Sequence, residues 1–153
     1  MSVSIGCMNS VKEYLNYIQE ADIRIKNKSV EVFQLECLAT SITAPTDTEA
    51  IKTSGVTDRV GNIVPKIVQA KKEISNMIAE FIDEKEKRVR LIETLENSLE
   101  YDVVHLYYVQ YKKFTEVAAE LGYSYAWILE VHEKAIKNLC KPYINLCNQC
   151  DII

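Results

Sequence analysis

Between Asn9 and Ile42 the apolar residues Val11, Ile18, Ile25, Val32 and Ala39 recur every seven positions, and Tyr14, Ala21, Leu35 and Ile42 follow three places on. Only Lys28 interrupts the second row. Seven residues are close to two turns of α-helix, so the segment carries its apolar side chains as one stripe and must lay that stripe against a partner. A second stripe starts at Val60, with Val60, Ile67, Ile74 and Phe81 in one row and Ile63, Ala70, Met77 and Leu91 in the other. Its seam is lost at Glu84 and Arg88. Asp58 is placed to cap this helix, and Pro65 must lie in its first turn or kink it, because an interior Pro costs about 3 kcal/mol.

Residues 43–58 hold a Pro, a Gly and several Ser and Thr but no periodic apolar face, which reads as a loop. Two helices joined by one loop fold back most simply as an antiparallel hairpin, ~45–50 Å long for ~30 residues each. Such a hairpin leaves apolar surface uncovered, so it is expected to dock on the C-terminal segment, on a second copy or on another protein. Symmetric dimers are the commonest solution, and a homodimer through residues 9–42 and 60–92 is the expectation. The charged run DEKEKRVR at the end of the second stripe reads as a solvated face held by pairs one helical turn apart.

Four Gly and three Pro among 153 residues rule out a fold made of many tight turns. The fold class is therefore all-α: a long helical hairpin over residues 9–94, a small helical module over 95–141, and a Cys-containing tail over 142–153. Net charge is -4, so no overall electrostatic footprint for nucleic acid or an anionic membrane exists, and any DNA contact must come from local geometry. No apolar run is long enough to span a membrane, and the start MSVSIGCMNS lacks the basic and apolar regions of a signal peptide. A cytoplasmic protein with no membrane partner is expected. The Cys residues fall at 7, 37, 140, 147 and 150, an odd number that argues for reduced thiols over a disulfide framework. Cys147 and Cys150 form a C-x2-C pair, but no His follows to complete a zinc site, so no metal and no cofactor are expected.

From Leu95 the text reads LENSLEYDVVHLYYVQYKKFTEVAAELGYSYAWILEVHEKAIKNL. Three short helices fit it: one holding Val103, Val104, Leu106 and Tyr107, a second from Phe114 to Leu121, and a third from Tyr125 to Leu139. Gly122 can take the positive φ that ends a helix and Ser124 can cap the next one. Val117, Ala118, Leu121, Ile128, Val131, Ala135 and Leu139 are then expected to face inward and join the two helices.

The sequence FTEVAAELGYS, followed by a helix ending HEKAIKNL, resembles region 4 of bacterial sigma factors, ungapped from Leu95 to Leu139. Over Val11 to Leu139, including Arg59-Val60-Gly61-Asn62-Ile63-Val64, the chain is also similar to small phage and prophage proteins of Gram-positive bacteria described as sigma-like or transcriptional regulators. The resemblance implies a helix-turn-helix whose last helix meets DNA, host RNA polymerase, or both. It assigns DNA contact to Lys112, Lys113, Ser124, Tyr125, Ala126, Trp127, Leu129, Glu130, Lys134 and Lys137.

Sigma factors usually carry Arg, Glu and Gln at the exposed start of that helix; here the matching positions are Tyr125, Ala126, Trp127, Leu129 and Glu130, so sigma promoter specificity does not carry over. Between Glu100 and Pro142 five Lys and no Arg stand against six acids, and a single module should bind DNA weakly. Trp127 can contact a base or pack on the neighbouring helix. His132 is expected on the helix surface or satisfied in the core. No phosphate loop, H-E-x-x-H or nucleophile elbow is present, so no enzyme is expected. The competing reading is an interaction protein whose degenerate helix-turn-helix binds only protein.

Overall fold

Ser4 starts the first helix earlier than the heptad rows require. Its carbonyl accepts from the backbone N–H groups of Cys7 and Met8 at 2.9 and 3.3 Å, and its Oγ from that of Gly6 at 3.3 Å. The computed structural model describes residues 4–43 and 55–150, with side chains at 4–41 and 61–150. Every element among the described residues is helical: α1 Ile5–Thr43, α2 Gly55–Ile92, α3 Ser98–Val104 continuing into a π turn His105–Val109, α4 Phe114–Leu121 and α5 Tyr125–Cys150.

Three expected boundaries move. Helix α1 begins at Ile5, not Asn9, because of the Ser4 cap. Helix α2 begins at Gly55, which puts Asp58 inside it and Pro65 ten residues in, so Asp58 is not the cap. Most of the expected loop lies outside the described residues. Helix α5 continues through Pro142 to Cys150, where a tail was expected from residue 142. Pro142 withholds one N–H from the helix ladder, but Leu139 and Cys140 are fully or nearly fully buried and Tyr143 packs on Tyr14 with ring centroids 5.2 Å apart. Tertiary packing on both sides of the Pro carries the helix across it.

The described residues divide into two compact units, those up to Ala21 together with those from Ile82 onward, and Asp22–Phe81. In the Asp22–Phe81 unit Val32 and Ala70 are buried, Lys28 pairs with Glu73 at 3.3 Å, and Glu36 pairs with Lys71 at 2.5 Å.

The other unit holds two apolar clusters. In the first, Val11 and Leu15 of α1, Leu91 and Ile92 of α2, and Ala135, Ile136, Leu139 and Cys140 of α5 are buried together with Val104 and Tyr108. In the second, Val103, Leu106, Val117, Ala118, Ile128 and Val131 join α3, the π turn, α4 and the start of α5. Ala135 and Leu139, expected to join α4 to α5, belong to the first cluster instead. The reason is length: α5 outruns the short α4 by several turns and passes its later apolar residues to α1 and α2.

The seam of α2 does not end at Arg88. Its guanidinium lies 4.1 Å from the ring centroids of both Tyr14 and Tyr17, Nε donates to the Tyr14 carbonyl at 2.7 Å, and Nη1 donates to Glu84 Oε2 at 2.6 Å. Arg88 is only 7% exposed, so a charged residue fills the seam position with its charge paired and stacked.

Candidate nucleic-acid interface

The connection between α4 and α5 is built by three residues. Gly122 sits at φ 74°, ψ 30°, and its N–H and that of Tyr123 both donate to the Ala118 carbonyl, at 3.0 and 3.1 Å. This is the left-handed helix end that favours Gly. Two residues on, Ser124 Oγ accepts from the Trp127 N–H at 3.2 Å and caps α5. At the other end of α4 the Glu116 carboxylate accepts from the Lys113 backbone N–H at 2.7 Å. Buried Ala118 leaves room for α4 and α5 to meet at Val117, Ile128 and Val131.

The burial pattern fixes which face of α5 is outward. Ile128, Val131, His132, Ala135, Ile136 and Leu139 are buried. At ~100° per residue the opposite face is formed by Ala126, Glu130, Glu133 and Lys137, all of them exposed. Tyr125 and Trp127 flank that face at 51% and 47% exposure, Tyr123 precedes them at 47%, and Leu129 is half-buried. Trp127 also lines a shallow groove with Asn97, Leu99 and Glu100, so one side of the indole meets the unit and the other meets solvent. The site residues Ser124 to Glu130 thus share one end of α5. The lysines are spread more widely.

The cations near this face have acidic neighbours. Lys112 makes a close ion pair with Glu120, and Lys134 lies 3.6 Å from buried Glu100, whose other oxygen accepts from Asn138 Nδ2 at 2.8 Å. Lys12, from the first helix, pairs with Glu133 at 2.6 Å. Nothing in the local sequence of α5 signals that last contact, because the partners are 121 positions apart. Lys113 and Lys137 are exposed.

Beneath the outward face lies a buried pair. Tyr108 Oη is 3.0 Å from His132 Nε2, with Tyr107 stacked on Phe114 at 4.0 Å and Phe114 edge-on to the imidazole at 4.9 Å. Burial, with a smaller push from Lys12, lowers the His132 pKa to about 4, and burial raises that of Tyr108 above the usual phenol range. A neutral imidazole and a protonated phenol each carry both a donor and an acceptor, so the two groups satisfy one another at this distance. His132 is thus the satisfied core histidine of the two expected roles. The pair anchors α5 to the π turn.

Tyr108 lies in the π turn. The turn is closed by the Gln110 N–H donating to the His105 carbonyl at 3.2 Å, and two residues past its end Tyr111 has a left-handed φ of 60°. Such a backbone costs a non-Gly residue ~1–2 kcal/mol. It is held by the Lys112 N–H on the Leu106 carbonyl at 3.1 Å and by the Tyr111 hydroxyl donating to the Ile18 carbonyl at 3.3 Å.

Among the described residues no helix is long and apolar enough to cross a membrane. The sequence model of a family described as Protein of unknown function (DUF1492) matches residues 41–140, a span that takes in α2, α3, α4 and the outward face of α5. No curated protein and no solved structure matches the chain.

Proposed function

The chain belongs to the DUF1492 family, and from that premise we propose that it is a transcriptional regulator of phage or prophage type. In this reading α4 and α5 form a sigma region-4-like helix-turn-helix that meets duplex DNA, host RNA polymerase, or both. The observation that carries it is the split character of α5: its back is locked by Ile128 and Val131 while Tyr125, Ala126, Trp127 and Glu130 stand outward at its capped start. In a helix-turn-helix that is the segment that enters the major groove, with cations at the preceding turn near phosphates.

The long hairpin belongs to the same reading. The pairs Lys28–Glu73 and Glu36–Lys71 support helices that run antiparallel, since numbers rise on one as they fall on the other. A homodimer would link two weak DNA contacts into one binding event.

A second reading is favoured by the ion pairs. With Lys112 and Lys134 engaged by Glu120 and Glu100, little positive charge is left to attract phosphate, while Tyr123, Tyr125 and Trp127 expose the aromatic surface typical of protein interfaces. In that case the same face binds only protein, with RNA polymerase the first partner to test.

Trp127 is the only Trp of the chain and reports directly on this face. Duplex DNA at low salt is expected to change both Trp127 emission and gel mobility. If neither responds, and purified host RNA polymerase does change the emission, the protein-binding reading stands instead. If neither ligand has an effect, both readings fail.

A further inference from the structure

The groove beside Trp127 lies wholly within the unit that holds α3, α4 and α5. Trp127, Glu130 and Val131 of α5 line it together with Leu99 and Glu100 of α3, and its volume is about 250 Å³. That is small for a small-molecule site and suits one long side chain.

Glu100 is the unusual member of this lining. Its side chain is only 5% exposed, and a buried carboxylate is costly unless its oxygens are satisfied. Oε2 accepts from Asn138 Nδ2 at 2.8 Å. Oε1 has only the Lys134 ammonium at 3.6 Å, beyond hydrogen-bond distance, on a side chain that is itself 69% exposed. Among the described residues no fully buried side-chain oxygen lacks a hydrogen bond, so Oε1 reaches open space, which beside Glu100 is this groove and the cleft adjoining it. Glu130 adds a second carboxylate, exposed and without an ion pair among the described residues. Asn97 Oδ1 is already taken by the N–H groups of Leu99 and Glu100, so the side-chain acceptors left open are the two carboxylates.

We infer that this groove takes an arginine side chain of a protein partner. The guanidinium donates through its planar fork to Glu100 Oε1 and Glu130, lies against the Trp127 indole, and lays its methylene stem over Leu99 and Val131. A lysine fits less well, since a point charge supplies neither the fork nor the stacking plane, and an anion is repelled by both carboxylates. The source is a polypeptide and not free arginine, because a larger cleft of about 580 Å³ starts at the same Asn97, Glu100 and Lys134 and continues past Asn138 to Asn145, where side-chain amides can pair with a main chain. The inference rests on the protein-binding reading of this face and names the chemistry it recognises. Its test uses neither DNA nor polymerase, so either can fail alone.

The full chain is titrated at low salt with the capped peptide acetyl-Gly-Arg-Gly-amide, read on Trp127 emission. A saturable change at millimolar peptide is expected, as suits a single anchoring side chain. The same peptide with citrulline in place of Arg should give none, and the Lys peptide and free arginine should each bind several-fold more weakly. Glu100→Gln should weaken binding about tenfold while keeping an oxygen for Asn138, and Glu130→Gln should weaken it several-fold. Lys134→Ala removes the ammonium that competes for Oε1 and should strengthen binding several-fold, where an anion site would be weakened. Should Glu100→Gln lose helix content by far-UV circular dichroism, the exposed-site variants Glu130→Gln and Lys134→Ala decide the matter. The absence of a saturable response, an equal response to the citrulline peptide, the Lys peptide or free arginine, or weaker binding in Lys134→Ala overturns the inference.

Discussion

Tyr108 Oη and His132 Nε2 meet at 3.0 Å inside the unit, and this one hydrogen bond ties the π turn to the middle of α5. The His132 pKa is lowered to about 4 from an ordinary value of 6.5. The folded state therefore holds the imidazole neutral where the unfolded chain would protonate it.

The consequence for stability has a definite sign. Between pH 6.5 and about 4 the unfolded chain binds the extra proton, so the contribution present above pH 6.5 is lost progressively as pH falls toward 4. The full shift corresponds to at most about 3 kcal/mol. Urea unfolding across this range should show the loss, and His132→Gln should flatten that part of the profile. A resonance that is lost in His132→Gln, and so belongs to this imidazole, would contradict the assignment if it titrated near 6.5.

Arg88 is expected to be intolerant of conservative change. Lys cannot donate from Nε to the Tyr14 carbonyl while stacking between Tyr14 and Tyr17, so Arg88→Lys should cost about 2 kcal/mol or more despite keeping the charge. Arg88→Ala, which also leaves Glu84 without this partner, should cost about 3–5 kcal/mol. Thermal unfolding of the two variants measures both effects.

At Gly122 the cost of a side chain is backbone strain alone, because an added Cβ meets nothing within 4 Å. Gly122→Ala should destabilise by about 1–2 kcal/mol, and Gly122→Asn by less, since Asn tolerates the left-handed region better. Equal losses for Ala and Asn in chemical denaturation would point to packing instead.

Much of this fold is legible in the chain because the governing interactions are local and periodic. The heptad rows of Val11 to Ile42 and Val60 to Phe81 mark α1 and α2, and Gly122 followed by Ser124 marks the turn and the capped start of α5. What escapes a local reading is decided by distant partners. Pro142 reads as a stop, yet α5 continues because Tyr143 packs on Tyr14. Arg88 reads as a break in the seam, yet two Tyr rings from α1 enclose it. Tyr111 carries no signal for a left-handed backbone; its reach to Ile18 and the bond from the next N–H to Leu106 hold it there. At the candidate interface the positions Ser124 to Glu130 follow from the turn, whereas the engagement of Lys112 by Glu120 and of Glu133 by Lys12 does not.

The cysteines should separate by reactivity. Cys37 and Cys150 are exposed, while Cys140 is 2% exposed and burial pushes its thiol up to about 12. The thiolate is the reactive species, so a maleimide at pH 7.5 should label Cys37 and Cys150 rapidly and reach Cys140 only on unfolding. Mass mapping of peptides after brief labelling distinguishes them; early modification of Cys140 would mean that the packing of α5 on α1 opens readily.

The ion pair of Lys112 with Glu120 gives the DNA reading its most discriminating consequence. Phosphate affinity depends on cations available to displace counterions, and one further phosphate contact raises the salt slope by about 0.9. Lys113 is exposed at the start of α4, so Lys113→Ala should weaken binding on every sequence alike. Lys112 must give up Glu120 to reach a phosphate, so Lys112→Ala should have the smaller effect. Glu120→Gln then releases Lys112 and should strengthen low-salt binding several-fold, with a steeper salt dependence, whereas Tyr125→Ala should change preference between sequences without changing the slope. Anisotropy titrations at several salt concentrations read all four variants. If Glu120→Gln leaves both affinity and slope unchanged while the wild type binds, Lys112 lies away from the phosphates and the helix-turn-helix docking geometry is wrong.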